Sequence, residues 1–170
     1  MGKYDDYDTA EKINNKADEL FNDSKKDELR ALAQEKGIDE SMVEMYLEGE
    51  IPAICDELTV AVGKLDVEAK MLNIDGVLDD WKNVIESMCM EDANMQQAVM
   101  NKDKQMVECM ALLLGFAFNN KVKIDDKIVN ATEIEHNGKK EKMHGPVYLG
   151  IPNKRQVMKI VKGYYLGEES

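Results

Sequence analysis

Apolar residues recur every three or four positions along most of the chain, which is the period of an amphipathic α-helix. Alternation of apolar and polar residues, the pattern of a half-buried strand, is rare. Only three of the 170 residues are proline. The pattern predicts a mostly α, compact domain of about seven to nine helices. One irregular or hairpin-like loop is expected near residues 135–152, where Val147–Leu149 could form one arm of a small hairpin.

Capping residues predict where the helices begin. Asp8, Ser24, Asp39, Asp103 and Asn153 each precede an apolar-periodic segment and can accept hydrogen bonds from its first turn. A short helix is also expected near Asp125–Ala131. Glycines suited to left-handed helix ends follow three of the segments, namely Gly37, Gly49 and Gly167.

The sequence makes a separate prediction for each of two further helices. Pro52 fits the first turn of a long helix that carries Ile54 and Cys55, with Gly63 either a weak point or a site of close packing. The helix Met106–Phe118 is apolar nearly all round, so we expect it to lie at the centre of the fold. Because apolar residues lie on all sides of this helix, some of them could instead pack against a second copy of the chain in a homodimer.

The charge is unevenly distributed. Residues 1–100 carry 25 Asp and Glu against 10 Lys and Arg, whereas residues 101–170 carry 9 against 12. This division predicts an acidic helical region, residues 1–100, with a mildly basic helical region, residues 101–170, packed on it or joined with it in one domain. A strongly negative surface favours encounter with basic partners and opposes nucleic acid and anionic lipid.

The three cysteines, Cys55, Cys89 and Cys109, lie in apolar helical segments and form no Cys-x-x-Cys pair. An odd number without metal-ligand spacing predicts buried, reduced thiols and a cytoplasmic location. The first residues lack an apolar signal segment. The longest apolar run, Met110–Leu114, is far shorter than the roughly 20 residues that cross a bilayer, so no membrane partner is expected.

The spacing of Ala33, Gly37 and Val43 is compatible with a helix-turn-helix, yet the residues after the turn are acidic. Carboxylates repel phosphates, so this segment does not predict a DNA reader. It is either a packed helix pair with a solvated acidic face or a carboxylate array that imitates a phosphate backbone. The candidate partner-binding residues are Asp39, Glu40, Glu44, Glu48 and Glu50.

A basic segment near the C-terminus is the second candidate surface. Basic residues close to Tyr148, Tyr164 and Tyr165 could contact a protein partner or RNA. The alternative is that the last two tyrosines pack in the core and the cations offset the acidic region. The candidate contacts are Lys139, Lys140, Lys142, Lys154 and Arg155.

The sequence contains no residue pattern typical of a catalytic site. His136 and His144 lie eight positions apart in the expected loop, which fits no helical metal pair. Asp79 and Asp80 fall at a predicted helix start, where acids favour the helix dipole. We therefore predict no enzyme activity, no metal and no cofactor; a metal-dependent hydrolase that uses Asp79 or Asp80 is the alternative.

Several stretches, spread over roughly residues 25–167, carry a resemblance. They are Tyr46–Gly49, Cys55–Glu68, Trp81–Asp92, Lys102–Cys109, Leu149–Pro152 and Lys162–Gly167. Together they resemble small proteins of phages and plasmids from Gram-positive gut bacteria, a group similar to the anti-CRISPR inhibitors of Cas9. None of the stretches is a catalytic signature.

The resemblance implies a non-enzymatic inhibitor in the bacterial cytoplasm that binds Cas9 loaded with guide RNA and blocks target DNA binding or cleavage. The acidic excess agrees with this, since such nucleases line their nucleic-acid channel with basic residues. Direct DNA binding is not favoured. The alternative function is a plasmid or phage accessory protein that binds DNA or RNA through the basic segment.

Overall fold

The computed structural model describes residues 2–168, which form a helical domain with four short strands. This confirms the predicted mostly α fold of seven to nine helices. Within the described residues the elements are α1 (Ala10–Asn22), α2 (Lys26–Glu35), α3 (Glu40–Leu47), α4 (Glu57–Met71), α5 (Val77–Glu91), α6 (Ala93–Met100), α7 (Met106–Asn119), β1 (Val122–Lys123), α8 (Asp126–Ala131), β2 (Glu133–His136), β3 (Lys139–Lys142), β4 (Tyr148–Leu149) and α9 (Lys154–Leu166).

One hydrophobic core runs through most of the molecule. Helix α1 packs on α2 and α2 on α3, while α4 contacts α5, α6 and α7, and α9 closes over α5, α6 and α7. Core residues come from both predicted regions, from Ile13 and Leu65 to Leu113 and Val161. The acidic and basic parts of the chain therefore share a core.

Two glycines fix how the turn before α3 sits on α4. Gly37 has a left-handed φ of +67°, and a Cβ atom there would lie 2.3 Å from the carbonyl oxygen of Gly63. A Cβ atom on Gly63 would lie 2.3 Å from the carbonyl oxygen of Lys36. Contacts this short exclude a side chain at either position, so Gly63 is a site of close packing.

The predicted helix starts are partly right. The side chains of Asp39, Asp125 and Asn153 accept hydrogen bonds from the first turns of α3, α8 and α9. The predictions for Asp8, Ser24 and Asp103 are wrong. The N-cap residues of those helices are Thr9, Lys25 and Gln105.

Pro52 does not begin a helix. The next helix, α4, begins at Glu57, after the N-cap Asp56. The reason is a contact from α1: the Asn14 side chain accepts hydrogen bonds from the amides of Ile54 and Cys55 and donates to the carbonyl of Cys55. These bonds use backbone groups that a helical turn would need.

Residues 120–152 form a small lobe outside the core. The hairpin of β2 and β3 turns at Asn137 and Gly138, both with positive φ, as a two-residue hairpin requires. The Tyr148–Leu149 arm pairs with Val122–Lys123 instead of a neighbouring strand, which corrects the predicted local hairpin. Most of the lobe's side chains are exposed, with Val129 buried beneath them.

Helix α7 is not at the centre of the fold, and that prediction is wrong. Its buried side is formed by Met106, Cys109, Met110 and Leu113. The opposite side faces outward with its apolar side chains exposed. An even distribution of apolar residues around a helix gives no preferred side, so the neighbouring helices determine which residues are buried.

Candidate partner-binding surface

Helix α3 presents its carboxylates on the outside because its opposite side is anchored. Val43 is fully buried, and Ile38, just before the helix, is 5% exposed. The Tyr46 hydroxyl donates a hydrogen bond to Asp18 of α1. The start of α3 is held by Asp39, which accepts a 2.8 Å hydrogen bond from the Ser41 amide.

Three of the five predicted acidic residues are free to meet a partner. Glu40, Glu48 and Glu50 are exposed, and none forms an ion pair with another residue that the structure describes. Asp39 is also exposed, but its carboxylate caps the helix. We call Glu40 in α3, together with Glu48 and Glu50 just after its end, the α3 carboxylates.

Glu44 is half-buried and has a structural partner. Its carboxylate accepts a 2.8 Å hydrogen bond from Nε of Arg30 on α2, and that bond lowers the pKa of Glu44. Arg30 also lies 3.3 Å from Asp27. The structure thus removes Glu44 from the group of freely available carboxylates.

A shallow cleft lies beside the α3 carboxylates, between α2, the start of α3 and α4. Its lining carries both signs of charge, from the cations Arg30 and Lys70 and the acids Asp39, Glu40 and Asp66. Mixed charge on an open cleft suits contact with a protein surface better than capture of a small ion.

The negative charge of residues 1–100 is not offset by its own cations. Seven of the ten Lys and Arg residues in this part form ion pairs with carboxylates of the same part. Twenty-five carboxylates are present, so most have no ion pair with a cation that the structure describes. This part of the surface therefore projects negative potential toward solvent.

The predicted basic segment is divided between two elements. On the hairpin, Lys142 lies opposite Glu133 with their charged atoms 3.3 Å apart, and Lys140 lies opposite Glu135. Directly opposed residues share one face of a hairpin, so these charges largely cancel. Lys154 and Arg155 are exposed in the first turn of α9, where no acidic residue accompanies them.

The tyrosines near the basic segment mostly serve packing. Tyr165 is 4% exposed in the core. The Tyr164 hydroxyl accepts a 2.7 Å hydrogen bond from the Gln105 amide and donates to Glu108. Of the three tyrosines, Tyr148 alone is exposed enough to stack on a base or a partner's side chain.

The thiols are buried in apolar surroundings, as the sequence predicts. Burial raises the pKa values of Cys55, Cys89 and Cys109 to about 12, so each is a neutral thiol near neutral pH. Among residues 2–168, no three His, Cys, Asp or Glu side chains are grouped closely enough to hold a metal ion. Asp79 and Asp80 are exposed in the first turn of α5, where their charges favour the helix dipole.

A polar cluster that the sequence analysis missed joins α4 to the turn before α7. The Lys64 ammonium donates to the carbonyls of Val99 at 2.8 Å and Asn101 at 3.1 Å, and Glu68 accepts a 3.0 Å hydrogen bond from the Met106 amide. Burial lowers the pKa of Lys64 and raises that of Glu68. Their spacing of four residues places both on one side of α4, and their bonds satisfy backbone groups at two helix ends.

Comparison with known proteins gives no relative: no family model matches the chain, and neither the curated proteins nor the solved structures contain a match. None of the helices in residues 2–168 has the length and apolar character needed to cross a bilayer.

Proposed function

We propose that this chain is a non-enzymatic anti-CRISPR protein that binds a Cas9-type nuclease carrying guide RNA and blocks target DNA binding or cleavage. The observation that supports the proposal is the set of α3 carboxylates, exposed and unpaired on a region of net charge −15. A nuclease of this type holds its nucleic acid in a positively charged channel. Carboxylates exposed in α3 and just after its end can occupy part of that channel in place of phosphates.

Charge alone does not make such a complex tight. Each exposed ion pair contributes about 0.2–1 kcal/mol, so an apolar anchor is needed as well. Met45 is 37% exposed on α3, and Phe21 is 42% exposed with its ring 5.6 Å from that of Tyr46. Met45 lies about one helical turn before Glu48, so this part of the surface is apolar close to a carboxylate. It is the part of the surface that we expect to be desolvated in the complex.

A DNA-cleavage assay with charge-reversal variants tests the proposal. The triple variant Glu40→Lys, Glu48→Lys and Glu50→Lys leaves the Arg30–Glu44 pair intact. The control, Asp6→Lys, Glu91→Lys and Asp103→Lys, makes the same change in net charge at exposed positions elsewhere. We expect the first variant to raise the inhibitory concentration by about 10-fold or more and the control to change it far less. Equal loss in both variants, or none in the first, contradicts the proposal.

One observation favours the second candidate function, a plasmid or phage accessory protein that binds nucleic acid. Lys154 and Arg155 occupy the first turn of α9, where cations oppose the helix dipole, so helix stability does not explain them. The variant Lys154→Glu, Arg155→Glu should then abolish binding of the full chain to DNA or RNA. Truncation is unsuitable as a test, because α9 contributes Val157 and Val161 to the core.

A further inference from the structure

The outward side of α7 is an apolar surface that nothing in the described chain covers. Val107 is 45% exposed, Leu114 50% and Phe118 65%. Ala111 and Gly115 lie between them on the same side of the helix, and Ala111 is exposed. We call these five residues the α7 seam.

The spacing of the seam is that of a helix-packing surface. Positions 107, 111, 114 and 118 follow each other at intervals of four, three and four residues, as apolar positions do in a coiled coil. Over these three or so turns the seam contains no charged residue. A solvated helix normally carries polar residues on this side.

The space where a side chain on Gly115 would lie is not filled by the described part of the chain. A Cβ atom at this position would have no atom within 4 Å, so the space beside it is open. Glycine in a helix interior is destabilising relative to alanine. A small residue whose surroundings are empty is expected where the backbone of a second helix approaches closely.

We propose that the seam binds the seam of a second copy of this chain, with the two α7 helices antiparallel about a two-fold axis near the middle of α7. In this arrangement the large Leu114 and Phe118 of each copy lie against the small Gly115 and Ala111 of the other. A parallel pair instead opposes Phe118 to Phe118 and leaves a gap between the small residues. The antiparallel pair therefore fills the space that the seam leaves open.

The charges at the ends of α7 favour the same arrangement. Glu108 is exposed near the start of the helix, and Lys121 lies just beyond its end, with its ammonium 4.9 Å from the Phe118 ring centroid. Antiparallel packing brings the Glu108 end of each helix to the Lys121 end of the other. Parallel packing brings like charges together.

The apolar surface continues from the seam onto the adjoining lobe. Val122 is 64% exposed and Leu149 53%, in the two paired strands that follow the end of α7. Gly150 is packed against the carbonyl of Ala117, which fixes these strands beside the helix. A stable interface buries about 800 Å² on each partner, and the strands supply area that one short helix lacks.

Sedimentation of the full chain at micromolar concentration tests the inference. We expect a particle of twice the 19.3 kDa chain mass. Leu114→Glu should raise the dimer dissociation constant by about 100-fold or more, because the change occurs in both copies, while the circular dichroism stays unchanged. Met90→Glu, at an exposed position of α5, is the control and should leave the dimer intact.

Disulfide cross-linking tests the orientation. Leu114→Cys lies near the proposed axis and should form a covalent dimer on oxidation, whereas Val107→Cys should not, because antiparallel packing separates the two copies of position 107. The three native cysteines are buried and give no background. Ready cross-linking through position 107 overturns the antiparallel arrangement.

A monomeric wild-type chain overturns the dimer. If that monomer binds the nuclease and Leu114→Glu weakens the binding, the seam belongs to the nuclease partner. The inference does not rest on the proposed function, because self-association is measured without any nuclease.

Discussion

The outward sides of α3 and α7 differ in the chemistry they offer to a partner. Both helices are anchored on one side by fully buried residues, Val43 in α3 and Leu113 in α7. The free side of α3 carries Glu40 and Glu48, whereas that of α7 carries Leu114 and Phe118. The outward side of α3 therefore attracts a partner electrostatically, and salt shortens the range of that attraction. The outward side of α7 binds a partner only by direct apolar contact that excludes water.

This difference separates two kinds of recognition on one molecule. A carboxylate surface attracts any basic partner and gains specificity from its arrangement, and its binding weakens in salt. An apolar seam binds only a surface of matching shape. Variants that alter one side should therefore leave the behaviour of the other unchanged.

Adjacent residues of α7 provide the sharpest contrast between its two sides. Leu113 is fully buried, and Leu113→Ala should lower the free energy of unfolding by about 2–5 kcal/mol. Leu114 is half exposed, and Leu114→Ala should change the same quantity by less than about 0.5 kcal/mol in the monomer. Urea unfolding at a concentration where the chain is monomeric measures both. Similar losses for the two variants would show that the monomer itself covers the seam.

Alanine substitution at two glycines should change the free energy of unfolding in opposite directions. At Gly37, left-handed backbone and the nearby Gly63 carbonyl make Gly37→Ala unfavourable by about 2 kcal/mol or more. At Gly115, where the space is open, Gly115→Ala should stabilise the monomer by about 0.5–1 kcal/mol. Thermal unfolding of the monomer distinguishes the two signs. A loss of stability in Gly115→Ala would place an intramolecular contact at the seam.

The smallest expected effect concerns how the two helices begin. Hydrogen bonds from Ser41 lower the pKa of Asp39 below its ordinary value of 3.8. The pKa of Asp39 is therefore lower in the folded state than in the unfolded state. The cap stabilises α3 fully at pH values above the ordinary pKa of 3.8, and this contribution is lost as pH falls through the folded-state pKa. Asp39→Asn should remove that part of the acid sensitivity of the melting temperature. The N-cap residue of α7, Gln105, makes no side-chain hydrogen bond to the helix, so Gln105→Ala should leave the acid sensitivity unchanged.

The helices could be predicted because their information is local. The apolar period of α1, with Ile13, Ala17 and Leu20, appears in the sequence and in the core. The caps Asp39 and Asn153 act on amides two or three residues away. Such features need no knowledge of the rest of the chain.

The remaining features depend on contacts between distant residues. The start of α4 is delayed by Asn14, which lies about 40 positions earlier along the chain. Strand β1 pairs with β4, although α8 and the β2–β3 hairpin lie between them in the sequence. No local sequence pattern predicts this pairing. The acidic surface in and just after α3 could be predicted from the sequence, but the hydrogen bond that Arg30 of α2 donates to Glu44 could not.

The affinity for guide-loaded Cas9 should be measured across a range of salt for the wild-type chain and for the variant with Glu40, Glu48 and Glu50 changed to Lys. Recognition through the α3 carboxylates predicts that wild-type binding weakens steeply with salt, and that the variant binds more weakly at low salt with a shallower salt dependence. Binding by both proteins with one affinity and one salt dependence would contradict it, as would the absence of binding at low salt.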